Sequence, residues 1–328
     1  MSSDPIRNYQ AAVEAVRLAC ELCQHVQSSL VTEDTLEKKD RSPVTVADFG
    51  SQAIVCEALV NTFPDIPIVA EEDAKALRED EASTLRDNVI RNVQRLKPEM
   101  TGDKVLEAID KGNHDASADR YWTLDPIDGT KGFLRGEQYA AALGLIENGE
   151  VIMGILGCPN LPYEGGKGCM FIARKGLGTA WAPLLDVKNV RPVRTDEITD
   201  VKQARFCESV ESGHSSHSHS ALIAKRLGVV APPVRMDSQC KYAAVARGEA
   251  SIYLRLPTRK GYEEKIWDHA AGSLVITEAG GRVSDVRGNT LDFTQGRTLK
   301  NNAGVIATSA AIHDEVLEAV KAVLESEE

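Results

Sequence analysis

Trp122-Thr-Leu-Asp125-Pro126-Ile127-Asp128-Gly129-Thr130-Lys131-Gly132-Phe133 is the stretch on which the reading of this chain turns. The residues before Asp125 are apolar or β-prone and read as a strand. Pro126 and Gly129 are expected to force a tight turn directly after it. Such a turn would hold two carboxylates, Asp125 and Asp128, at a strand end with the Thr130 hydroxyl beside them. Ionised carboxylates that close repel each other unless a cation lies between them. Carboxylate and carbonyl oxygens suit Mg²⁺. A bare Asp-x-x-Asp-Gly is more often an acidic turn and nothing else, so the rest of the chain has to decide.

Towards the N-terminus, apolar residues at three-four spacing predict a helix over about 5–30, with Ile6, Tyr9, Val13, Val16, Cys20, Cys23 and Leu30 on its buried face. Residues 31–42 are polar without periodicity and read as a mobile surface loop. A second helix follows, with Phe49, Ala53, Cys56, Val60 and Phe63 inward, and Pro64 stops it. Asp48 starts that helix, where helix capping competes with a chemical role. Ile66–Ala70 is a short strand that runs into Glu71-Glu72-Asp73, either a solvated turn or a further source of oxygen ligands. Helices are expected at about 81–96 and 105–109.

Beyond the central stretch, Asn148-Gly149 joins strands 139–146 and 151–156 as a hairpin. A second strand pair is expected at 170–174 and 179–182. Helices packed on a largely antiparallel sheet describe this half, which is read as a domain of residues 1–190. Residues 191–328 alternate strands and helices and read as an α/β domain. His214-Ser-Ser-His217-Ser-His219 has a spacing that invites zinc, but its serines favour a flexible loop. In Trp267-Asp268-His269-Ala-Ala-Gly272, Asp268 is expected in the first turn of a helix that Gly280-Gly281 terminates. A helix N-terminus carrying an acid can hold a metal and a phosphate together.

Length and composition bound the function. The chain has 328 residues, 42% hydrophobic and 27% charged, and a formal net charge of −11. An acidic surface is a poor non-specific binder of nucleic acid or anionic membrane. Neither partner is expected, and a monomer is. Met1-Ser-Ser-Asp-Pro-Ile lacks a charged leader with an apolar core, and no apolar run approaches a membrane span, so a cytoplasmic location is expected. Seven scattered cysteines fit reduced thiols. Cys20-x-x-Cys23 lies on a helix stripe and reads as core before it reads as redox chemistry. Neither G-x-x-x-x-G-K-[ST] nor H-E-x-x-H is present.

Taken together, Asp125-Pro-Ile-Asp-Gly-Thr, Trp267-Asp-His-Ala-Ala-Gly with its later Gly-Gly, and Glu71-Glu72 resemble the lithium-sensitive, magnesium-dependent phosphatase superfamily that includes inositol monophosphatase. The similarity covers nearly the whole chain. Lys131-Gly-Phe-Leu-Arg-Gly-Glu-Gln138, Gly213-His-Ser-Ser-His217, Asp237-Ser-Gln-Cys-Lys241-Tyr, Tyr253-Leu-Arg-Leu-Pro257 and Glu264-Lys-Ile-Trp-Asp268 resemble its 3'(2'),5'-bisphosphate nucleotidases. Where that family usually has Gly before the acidic pair, this chain has Ala70.

The resemblance implies a layered αβαβα sandwich of the inositol monophosphatase/fructose-1,6-bisphosphatase type, α+β in its first part and α/β in its second. It implies that Glu71, Asp125, Asp128, Asp268 and the Ile127 carbonyl hold two or three Mg²⁺, most of them from the first domain. Thr130 would hold the attacking water, Asp48 would polarise Thr130, and Glu72 would stand behind. Gly129, Thr130, His214, Ser238, Lys241, Arg255 and Asp268 would contact a nucleotide. Lys241 and Arg255 are the candidates for its uncleaved phosphate or its sugar. Ser238 as a turn residue and Arg255 as a strand-edge charge are the plainer alternatives.

The implied reaction takes adenosine 3',5'-bisphosphate to AMP and phosphate, with 3'-phosphoadenylyl sulfate a second substrate and Li⁺ and Na⁺ as inhibitors. An inositol phosphate phosphatase is the enzymatic rival. A metal or nucleotide sensor on the same fold is the non-enzymatic one.

Overall fold

The computed structural model describes residues 9–29, 35–37, 43–210, 217–257 and 261–326. In chain order the first part comprises α1 (Gln10–Ser29), β1 (Thr35–Glu37), β2 (Pro43–Thr45), α2 (Val46–Thr62), β3 (Ile68–Ala70), α3 (Ser83–Leu96), α4 (Gly102–Asp110), β4 (Arg120–Asp128), α5 (Thr130–Leu134), β5 (Ala140–Glu147), β6 (Glu150–Tyr163), β7 (Gly166–Arg174), β8 (Gly178–Pro183) and β9 (Arg191–Val193). The second part comprises β10 (Phe206–Glu208), α6 (His217–Leu227), β11 (Val234–Arg235), α7 (Cys240–Ala246), β12 (Ile252–Arg255), α8 (Ala270–Glu278), β13 (Gly281–Ser284), β14 (Val305–Ser309) and α9 (His313–Glu325).

Two sheets organise these elements. One runs β3-β4-β5-β6-β7-β8-β9, the other β11-β10-β12-β14-β13. In the first, every neighbouring pair is antiparallel except β3 with β4. The second is mixed. Strand alternation assigns their faces. Ala141, Leu143 and Leu145 of β5 pack with Ala12, Val16 and Cys20 of α1. The intervening Ala140, Ala142 and Ile146 join α7 and α8 in another apolar cluster. On β12, Tyr253 faces that same cluster, while Ile252 and Leu254 pack with Ile223 of α6 and Val316 of α9. The layers are therefore helix, sheet, helix, sheet, helix.

α7 and α8 form the middle layer; all of α7 and residues 270–276 of α8 are buried, most of them apolar or small. Close approach needs small residues. A Cβ on Gly154 of β6 would stand 2.6 Å from the Ala271 carbonyl oxygen, and one on Gly272 would enter the ring of Tyr242 on α7. This layer joins the two halves and carries the second half's residues to the end of β4.

Three local expectations are corrected. The loop at 31–42 contains β1, which pairs with β2 through Leu36 and Val44; the rest of it lies outside the described residues. No tight turn follows Asp125. Instead β4 continues through Pro126 to Asp128, with a register shift against β5 between Asp125 and Asp128. Proline is tolerated in a strand at such a bulge because the ladder bond it cannot donate is already missing. The chain turns one residue later, at Gly129, whose φ of +89° only glycine takes without strain. Finally, His217 and His219 belong to α6 and not to a loop, while His214 lies outside the described residues.

Candidate active site

The acidic residues arrive from four segments. Asp48 occupies the first turn of α2 and is 1% exposed. Glu71 follows the last residue of β3. Because Ala70 pairs in parallel with Leu124, Glu71 follows β3 beside the position that Asp125 holds within β4. Asp128 closes β4. Asp268 ends a single 3₁₀ turn, Ile266–Asp268, and His269 separates it from α8. It thus precedes the helix and does not lie in its first turn.

Their charges act on one another. Burial pushes the Asp125 carboxyl well above the usual carboxylate range, and the negative charges of Glu71, Asp128, Asp268 and Asp48 push it further. Asp268 is raised by burial, with Asp128, Glu264 and Glu71 adding and Arg255 opposing. Burial also raises Asp128, against the pull of Lys241, Arg255 and the Gln239 N–H. Asp125 is 2% exposed, and its Oδ1 has no hydrogen-bond partner among the described residues. Anionic oxygens crowded in this way suit a divalent cation with oxygen preference.

Sequence reasoning missed the residues that hold these acids in place. Gln52, one turn beyond Asp48 on α2, donates to the carbonyls of Glu72 (2.6 Å) and Ile109 (2.8 Å) and accepts from the Glu72 N–H (3.0 Å). Gln239 donates from its backbone to Asp128 Oδ2 (2.7 Å) and from its side chain to Trp267 O (2.9 Å), and accepts from Gly272 N (3.1 Å). One amide thereby ties β4, the Asp268 turn and α8 together. Gln52 left a faint signal, as a polar residue among the apolar positions of α2.

On the substrate side, Gly129 and Ser238 meet: a Cβ on Gly129 would stand 2.8 Å from the Ser238 Cβ. Ser238 has a φ of +67°, and its Oγ accepts from Cys240 N (3.1 Å). The Thr130 hydroxyl donates to Ile127 O at 3.4 Å. Lys241 is buried, which lowers its pKa, and its ammonium lies 5.2 Å from the Tyr253 ring centroid.

Arg255 forms a two-toothed pair with Glu264, at 3.1 Å from Nε to Oε1 and 3.0 Å to Oε2, and stands 3.9 Å from Asp268 Oδ2. His269 backs this pair, with Nε2 3.2 Å from Glu264 Oε2 and Nδ1 2.7 Å from the Tyr242 hydroxyl. Desolvation works against the Glu264 charge, yet bonds from His269 and Arg255 hold the carboxyl down at about 2. The charges of Lys241 and Arg255 both act on Asp128. The seven cysteines are free and buried; burial raises the Cys23 thiol to about 12, which leaves Cys20-x-x-Cys23 as core.

Two sheets alternating with three helical layers, and an acidic site where β4 ends against the middle layer, define the inositol monophosphatase type of fold. The chain belongs to the inositol monophosphatase family, whose profile matches residues 4–325. It is 46% identical to a 3'(2'),5'-bisphosphate nucleotidase of Emericella nidulans, over 94% of this chain and 96% of that one. A Schizosaccharomyces pombe protein of the same name is also 46% identical, over 96% and 95%. Among solved structures, Thermotoga maritima IMPase superposes with a TM-score of 0.66 at 21% identity, over 96% of each chain. The extragenic suppressor protein suhB of Bartonella henselae gives 0.66 at 19% identity, over 96% and 98%.

Proposed function

We propose that this chain is a 3'(2'),5'-bisphosphate nucleotidase, a phosphoric monoester hydrolase that converts adenosine 3',5'-bisphosphate to AMP and phosphate. Full-length relatives of that name at 40–46% identity support the substrate class. The observation that supports the chemistry is Asp125, a buried carboxylate on which the charges of four other acids act.

Glu71, Asp125, Asp128, Asp268 and the Ile127 carbonyl would hold Mg²⁺, two or three ions of it. When bound, the metal neutralises phosphate charge and makes a nearby water more acidic. The residues of the chain do the rest. Thr130 would direct the attacking water, with Asp48 polarising its hydroxyl once that hydroxyl turns away from the Ile127 carbonyl. The water oxygen forms the new bond to phosphorus in line with the breaking P–O bond, and the proton the water gives up balances the one the departing sugar oxygen takes from solvent. No covalent phosphoenzyme forms.

Gly129, Ser238, Lys241, Arg255 and His214 bind the nucleotide, with Lys241 and Arg255 on the phosphate that stays. 3'-Phosphoadenylyl sulfate fits the same contacts and is a second substrate. Li⁺, and more weakly Na⁺, inhibit by taking a Mg²⁺ position with too little charge. The free thiols support a cytoplasmic location, and we place the protein there as a monomer.

Phosphate release tests this reading, with and without Mg²⁺, from adenosine 3',5'-bisphosphate beside inositol 1-phosphate and inositol 1,4-bisphosphate. The nucleotide is expected to be turned over fastest, and only with the metal. Full turnover in excess chelator refutes the mechanism, and preference for an inositol phosphate refutes the substrate.

A further inference from the structure

Arg297 lies outside every motif and, like Gln239, links the first sheet to the turn that carries Asp268. Its segment runs beside the turn that carries Asp268. Ile266 N donates to Arg297 O (3.3 Å), Lys265 pairs with Thr298, and Leu299 N donates to Glu264 O (2.8 Å). The guanidinium reaches back to the first sheet. One arm donates to Ala70 O (2.6 Å) and another to His114 O (2.9 Å). Its carbon also lies 4.8 Å from the centroid of the Trp267 ring.

The partners are informative. Ala70 is the residue before Glu71, and Trp267 is the residue before Asp268. The two acids that act on the charge of Arg297 are Asp73 and Glu71. A planar fork can serve two carbonyls while its face covers an indole; a lysine ammonium cannot do both.

We propose that Arg297 is a positioning residue that sets the spacing of Glu71 and Asp268 across the cleft, so that both carboxylates meet divalent cations in register. The inference rests on the reading of the site given above. It places Arg297 in contact with backbone and indole, not with substrate. Residues that orient metal ligands from behind are worth ten- to hundredfold in metal affinity. A plain structural staple would affect stability alone.

Mn²⁺ binding to the full chain without substrate separates these roles, read from the loss of the free-ion electron paramagnetic resonance signal. Mn²⁺ shares the oxygen preference of Mg²⁺. Arg297→Lys is expected to weaken Mn²⁺ binding at least tenfold. Arg287→Lys is the control: Arg287 also anchors a loop carbonyl, at Asn301 (2.7 Å), and also pairs with an acid, Asp285. That variant is expected to lower the melting temperature and leave Mn²⁺ affinity unchanged.

Unchanged affinity in Arg297→Lys overturns the inference, and so does an equal loss in Arg287→Lys. If Arg297→Lys does not fold, Arg297→Gln, which keeps one donor, is judged by the same criterion. Wild-type protein that binds no Mn²⁺ overturns the reading of the site as well. Wild-type binding that the Arg297 variants leave unchanged overturns this inference alone.

Discussion

Asp125 shows how a residue can serve function against stability. It is buried, four other acids raise its protonation, and one oxygen has no partner among the described residues. Asp125→Asn keeps the shape and removes the charge. We expect activity to fall about a thousandfold, a size common when one group of a concerted site is removed. In excess chelator the same variant should melt higher, by about 1–2 kcal/mol in stability, because a buried charge among like charges is gone. Steady-state assays and thermal melts check the two halves of this prediction. An unchanged or lower melting temperature in chelator would show that the acids do not oppose folding.

At this scale the acids Asp48, Glu71, Asp125, Asp128 and Asp268 were legible as candidates, through the motifs that carry the family resemblance and not from carboxylate placement alone. Gln52, Gln239 and Arg297 were not. They act largely on backbone amides and carbonyls, and which backbone lies within reach depends on the tertiary fold.

Secondary elements were legible where hydrophobic period decides them. α2, β5 and the start of β6 fall close to their expected bounds, while β6 runs on to Tyr163, well past its expected end at 156. The expected turn after Asp125 failed because a proline signals a turn locally, while β5 holds β4 straight as a bulged strand. The 3₁₀ turn before α8 was hidden for a similar reason: its spacing differs from that of a helix by less than one residue per turn.

Gly272 tests how tightly α8 is seated. A Cβ there would enter the Tyr242 ring, so Gly272→Ala must push α8 and the Asp268 turn away from α7. About 1–3 kcal/mol of stability should be lost, together with most of the activity even where the protein remains folded. Chemical denaturation and kinetics on the folded fraction read these separately. Wild-type activity would mean that the middle layer has slack.

His313 sets a pH limit on another seam. At the start of α9 it accepts or donates to Ser284 Oγ and Thr308 Oγ1, each at 2.9 Å, and so joins the helix to β13 and β14. Burial lowers its pKa to about 4 from the ordinary 6.5, with Arg282 adding and Asp314 opposing. Between those values the unfolded chain binds the proton that the folded chain refuses. Stability is therefore complete above pH 6.5 and is lost as the pH falls towards 4. About 2 kcal/mol should disappear between pH 7 and pH 4.5 that His313→Gln does not lose. Parallel curves for the two proteins would refute this.

The whole molecule was legible in its class and layer order, through two motifs roughly a hundred and forty residues apart. What could not be read was how the halves are joined, because α7 and α8 are short and, Lys241 and Ser273 apart, their buried residues are mostly apolar and give little direction. Cation binding should be felt throughout. An ion that binds only the native state, supplied at a hundred times its Kd, adds about 2.7 kcal/mol. Mg²⁺ should therefore raise the melting temperature by several degrees, and chelator should return it. A melting curve indifferent to both would remove the cation site.

One consequence follows from where Asp268 sits. The other acids lie in the first part of the chain and are joined by Asp268 only after the middle layer has formed between the two sheets. During synthesis, a nascent polypeptide that has exposed Asp48, Glu71, Asp125 and Asp128 still lacks Asp268 and the layer that delivers it. Contacts between residues so far apart in the chain form late and slowly. The catalyst is therefore born inert, and becomes active only as its C-terminal part leaves the ribosome and locks home.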